Sequence, residues 1–113
     1  MANWTAIVLR DRVLEHLSQK AAGQAAAPED ATLVDELVVA AHDRLRTIGL
    51  APFAINAIPA WAQVPFRDYV AGDAGSSFGL GESQKPGQFA AEKELRRQVA
   101  IRKPPLRIKI NPY

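Results

Sequence analysis

His16 and His42 are the only imidazoles in the chain, and imidazole is the side chain best suited to bind a metal ion or move a proton near neutral pH. Neither has a carboxylate or a second histidine at the spacing of a metal site or catalytic pair, so both are expected as surface or helix-flank residues. Close acids, Glu29 with Asp30, Asp35 with Glu36 and Glu92 with Glu94, fall where first turns and solvated helix faces carry charge. The glycine-rich run GDAGSSFGLG invites a phosphate-loop reading. It lacks the Lys-Ser or Lys-Thr ending of a nucleotide loop and no strand precedes it, so it is expected as a flexible connector. With no cysteine there is no thiolate nucleophile, thiolate metal site or disulfide. Trp4, Phe53, Trp61, Phe66 and Tyr69 sit among aliphatic residues and are expected in the core rather than as a base-stacking platform. These residues point to no enzyme, no metal and no cofactor.

A different chemistry sits in the stretch ELRRQVAIRKPPLRIKINPY. Residues 96–113 carry Arg96, Arg97, Arg102, Lys103, Arg107 and Lys109 and no acid, a charge of +6. The other eight bases face 12 acids in residues 1–95, a charge of −4, so the net charge of +2 hides two regions of opposite sign. Such a chain could attract copies of itself or an acidic partner. Pro104 and Pro105 favour extended backbone, and Leu106, Ile108 and Ile110 alternate with Arg107, Lys109 and Asn111 at the period of a strand. An idle basic tail is compatible with this composition. A docking tail is too: an extended segment can add itself to a sheet on another molecule, with backbone hydrogen bonds giving affinity and alternate side chains giving register.

The elements that would carry this segment read as helices. At 113 residues and 48% hydrophobic the chain is long enough for one modest core. Arg10, Asp11 and Arg12 interrupt the first apolar stretch, and no run approaches the ~18–20 residues of a membrane span, so neither signal peptide nor membrane protein is expected. Helical spacing of Trp4, Ile7, Val8, Leu14 and Leu17 predicts a helix over about 4–18, with Asn3 as its cap. Pro28, followed by Glu29 and Asp30, starts a second helix. Its stripe of Leu33, Val34, Leu37, Val38, Ala41, Leu45 and Ile48 ends at a Gly49 cap. A third helix is predicted from about Pro59, with a kink or break at Pro65, and a fourth over about 87–100, burying a narrow stripe of Phe89, Leu95 and Val99. The expected fold is all-α: a small bundle of about four helices over residues 1–95, with an extended, strand-like C-terminal docking tail over 96–113.

The order of these features, and the short runs PEDATLVDE, IPAWAQVPFRDYVA and RRQVAIRKPPLRI, resemble the head-to-tail connector (adaptor or head-completion) proteins of tailed bacteriophages. The resemblance implies a structural virion protein and not an enzyme, assembled in the host cytoplasm and placed at the neck of the virion. It implies a ring of typically twelve subunits under the portal protein, bound by a tail or neck protein below. It also leaves room for non-specific contact with packaged DNA in the channel. The portal-docking residues it implies are Arg97, Arg102, Lys103, Pro104, Pro105, Leu106, Arg107, Ile108, Lys109, Ile110 and Tyr113. The alternative is a small helical nucleic-acid-binding module whose basic tail neutralises phosphates, recognisable by steep salt dependence.

Overall fold

The structure is a computed structural model and describes residues 2–102. Four α-helices make up the fold: α1 (Ala6–His16), α2 (Pro28–Thr47), α3 (Ala60–Ala74) and α4 (Lys85–Arg102), with a single 3₁₀ turn (Gly75–Phe78) after α3. No strand is present among the described residues; the nearest approach is one pair of backbone hydrogen bonds between Trp4 and Ile58, each 2.9 Å. α3 is the centre of the bundle. It packs most extensively along α4, and on α1 and α2, while α1 also packs on α2.

α1 is capped by Thr5, not Asn3: the Thr5 hydroxyl accepts a hydrogen bond from the Val8 N–H at 3.3 Å. Its buried face is Leu9, Val13 and Leu14, continued by Leu17, whereas Ile7 is 59% exposed. Leu9, Val13 and Leu17 keep strict i, i+4 spacing, and that line of side chains meets the core.

α2 begins at Pro28 with Glu29 and Asp30 in its first turn, as its sequence predicts. It ends in a Schellman cap, with Gly49 at φ +80°, Leu50 N–H bonded to Leu45 O at 2.8 Å and Gly49 N–H to Arg46 O at 3.1 Å. Val34, Val38, Ala41 and Leu45 form its core edge; Leu37 is only half-buried and Ile48 is exposed.

α3 runs unbroken through Pro65 instead of splitting there. The missing Pro65 N–H deprives only the Trp61 carbonyl of its helical donor. Burial of Ala62, Phe66, Tyr69 and Val70 around it holds the helix together.

The glycine-rich run is mostly not a connector. Gly72 lies inside α3 and Gly75 opens the 3₁₀ turn, so left-handed backbone is needed only at Gly79 (φ +75°) and Gly81 (φ +56°). α4 starts two residues before the expected Gly87 and continues to Arg102, burying Ala91, Leu95 and Val99; Phe89 is 69% exposed. Residues 96–102, part of the segment expected to be extended, are therefore helical.

Candidate docking interface

α3 and α4 form an antiparallel hairpin, and its close approach is set by one glycine. A Cβ on Gly72 would lie 2.4 Å from the Cβ of Gln88, so only glycine lets α4 sit this near. Gln88 Nε2 uses that proximity to donate to the Tyr69 carbonyl at 3.0 Å and to Asp73 Oδ1 at 2.8 Å. From α2, Arg44 Nε donates to the Tyr69 hydroxyl at 2.7 Å while its Nη2 pairs with Asp73. Partial burial disfavours the Arg44 charge, but the hydrogen bonds it donates to Tyr69 and Asp73 outweigh this and raise the pKa. These contacts lock α2, α3 and α4 together, so the far end of α4 leaves the bundle from a defined place.

At that far end Arg102 lies over the indole of Trp61, its guanidinium carbon 5.0 Å from the ring centroid, and donates to Gln98 Oε1 at 2.9 Å. With Arg102 exposed and Trp61 half-buried, such a cation–π contact contributes about 0.5–1 kcal/mol. Trp61 in turn meets Phe53 edge-on at 5.8 Å, and Phe53 packs against Phe66 at 5.9 Å. His42 completes this aromatic group. It is buried, not a surface or flank residue: its ring stacks on Phe66 and tilts against Phe53. His42 Nε2 lies 2.8 Å from the Phe53 carbonyl, and because a carbonyl only accepts, Nε2 carries a proton. This bond ties the loop after α2 to the helix that precedes it. His16 lies 3.8 Å from Asp68 at the bundle surface.

The basic residues of α4 are partly answered within the helix. Arg97 makes two bonds to Glu94, at 3.0 and 2.7 Å, and Arg96 pairs with Glu92 at 2.9 Å. Side-chain hydrogen bonds from Arg97 and then Gln98 hold the Glu94 carboxyl down to about 2. Of the residues assigned to docking, Arg97 and Arg102 are thus on α4. Lys103, Pro104, Pro105, Leu106, Arg107, Ile108, Lys109, Ile110 and Tyr113 lie outside the described residues. Beside the end of α4 a shallow depression is lined by Ile48, Gly49 and Leu50 from the end of α2 and by Arg96, Val99 and Ala100 from α4.

One face escaped the sequence reading. Along the outside of α2, Glu29, Thr32, Glu36, Ala40, Asp43 and Thr47 fall on one exposed line, with Val39 beside it at 52% exposure. Asp35, Glu36, Val39, Ala40 and Asp43 line a single shallow surface. Asp35 pairs with Arg10 at 3.4 Å; Glu29, Glu36 and Asp43 have no ion-pair partner among the described residues. The signal is the seven-residue spacing of Glu29, Glu36 and Asp43, two helical turns each, which puts the three acids on one face.

Among the described residues no group of three or more His, Asp or Glu side chains could hold a metal ion, and no helix is long and apolar enough to cross a membrane. Comparison with protein-family models, with curated proteins and with solved structures found no match to this chain.

Proposed function

We propose that this chain is a structural virion protein, a head-to-tail adaptor that forms a ring of about twelve subunits under a phage portal and links the DNA-filled capsid to the tail, docking through the segment after α4. The observation that carries this reading is the segment itself. It is basic, stiffened by Pro104 and Pro105, and alternately apolar at Leu106, Ile108 and Ile110. A segment of that pattern suits strand addition to a sheet on the portal, where side chains of one parity are buried and the others meet solvent or acids. The helical body supports the same division of tasks. Arg102 is seated over Trp61, so each arm starts from a fixed point on its body. Arms that bind weakly one at a time hold strongly together once a ring shares one portal.

The nucleic-acid reading is less well supported, because Arg96 and Arg97 are already engaged by Glu92 and Glu94 and the alternating apolar side chains have no use on phosphates. Ile108→Pro separates the two. It keeps every positive charge but removes an N–H and distorts strand pairing. Co-sedimentation of this variant with purified portal should be lost while its retention on duplex DNA equals that of the parent. Replacing Lys103, Arg107 and Lys109 by alanine should only weaken portal binding. Undiminished portal binding by Ile108→Pro, together with loss of DNA retention in the triple alanine variant, would replace the adaptor by the nucleic-acid module.

A further inference from the structure

Among the described residues nothing covers the outer face of α2: α2 packs on α1 and α3, and the line through Glu36, Ala40 and Asp43 points away from both. Its chemistry is specific. An exposed apolar centre, Val39 and Ala40, is flanked along the helix by Asp35 and Glu36 on one side and Asp43 on the other. A complementary occupant is basic, with apolar side chains at close intervals. Within this chain one segment has that composition, Lys103–Ile110, with Lys103, Arg107 and Lys109 interleaved among Leu106, Ile108 and Ile110 and no acid.

Where α4 ends makes the match geometrically reachable. Ile48, Gly49 and Leu50 at the end of α2 line the same depression as Arg96, Val99 and Ala100, so the chain departs beside the C-terminal end of α2. Asp43 lies about 7.5 Å back along the helix from Ile48, and Asp35 about 12 Å further. Eight extended residues reach about 28 Å at most, more than the ~20 Å of axial rise from Ile48 to Asp35, which leaves length for the segment to pass round the helix onto the Asp43 side. Attachment to the same molecule also gives the segment a high effective concentration at this face.

We propose that the Asp35–Asp43 face of α2 is a docking surface for residues Lys103–Ile110 of the same molecule. The bases, which share one side of the extended segment at Arg107 and Lys109, sit among Asp35, Glu36 and Asp43, and their aliphatic stems cover Val39 and Ala40. A phosphate-bearing partner is excluded from this face by its acids. The interaction goes beyond the adaptor reading and holds whether or not a portal is the final partner of the segment. If it is, the docked segment is the form from which the portal takes it.

The test uses the full chain, free in solution, with no portal. Because the protein has no cysteine, Thr32→Cys, one turn from Glu36 on the same exposed line, gives a single attachment point for a nitroxide spin label. Thr47→Cys, at the other end of the line, gives an independent second one. With either label the amide signals of Lys103 and of Leu106 to Ile110 should be lost to paramagnetic broadening and return when the label is reduced. Glu36→Lys combined with Asp43→Lys should restore them with the label still active, while the signals of α3 and α4 confirm an intact fold. In a mixture of isotope-labelled unmodified chain with spin-labelled unenriched chain, the same signals should keep full intensity. Undiminished signals with both labels overturn the proposal, as does broadening that survives the double charge reversal. Equal broadening in the mixture overturns it too, by showing that the face takes the segment of another copy.

Discussion

Gly72 and Gln88 show how much of this bundle rests on single side chains. The Gly72 Cα faces the Cβ of Gln88 across the α3–α4 hairpin, and a methyl group there would meet Gln88 Cβ at 2.4 Å and Cδ at 2.6 Å. Gln88 cannot swing clear without giving up its bonds to Tyr69 and Asp73. Gly72→Ala should therefore destabilise the fold by about 1–3 kcal/mol. Gly87→Ala, where a methyl group meets nothing within 4 Å, should stabilise it by up to about 1 kcal/mol. Urea unfolding of the two variants would show shifts of opposite sign; equal shifts would mean that the hairpin is looser than described. Neither Gly72 nor His42 was legible in the sequence. Gly72 belongs to a run rich in glycine, and its partner is sixteen residues on. A lone histidine on an apolar helix gives no hint that a carbonyl eleven residues away will receive its N–H. Chemistry made by contacts between elements is invisible to spacing along one element.

Individual helices were read well where their determinants are local. Pro28 with its following acids, and Gly49 with the apolar stripe before it, fixed both ends of α2 because capping involves only neighbours in sequence. The face of α1 was misjudged because apolar residues stand on more than one side of it, and packing on α2 and α3 selects Leu9, Val13 and Leu14 over Ile7. Phe89 was misjudged similarly: it is expected in one stripe with Leu95 and Val99, but Leu95 and Val99 continue the i, i+4 line of Ala91, and Phe89 falls outside it.

The pairing of Glu94 with Arg97 on α4 gives a pH signature. Both side chains reach solvent, Arg97 59% and Glu94 38% exposed, so the contribution to stability is small and screened by salt, but its sign is definite. A carboxyl whose pKa falls from 4.5 to about 2 on folding supports the helix above pH 4.5, and this support is lost as pH drops through about 2. An NMR titration of the Glu94 carboxyl should have its midpoint near 2 in the parent and move up towards 4.5 in Arg97→Ala. A parent midpoint at 4.5 would mean that the pair is seldom formed.

For the molecule as a whole, the extent of α4 changes the charge balance on which assembly depends. Eleven bases and 12 acids up to Arg102 leave the helical body at −1, and the other three bases follow it, so the body is nearly neutral and not −4. Long-range repulsion between bodies is correspondingly weak. Weak repulsion does not make them associate. Among the described residues the exposed apolar side chains Ile7, Val39, Val64 and Phe89 each stand on a different helix, whereas a stable interface between copies requires one large contiguous patch. A segment docked on α2 would cover Val39 and remove one of the few adhesive sites. The free protein should therefore remain a monomer, with a light-scattering mass that does not change over a hundredfold range of concentration. On the proposed adaptor reading, adding a portal would change the balance, because each captured arm would hold its body beside the next and raise the local concentration at contacts too weak to act in dilute solution. A closed ring should then be seen by electron microscopy on the portal and nowhere else. Removing residues 103–113 should abolish that ring while leaving the helical circular dichroism of the body unchanged. A ring that forms in dilute solution without portal, or one that forms on portal without those residues, would show that subunit contacts rather than arms drive assembly.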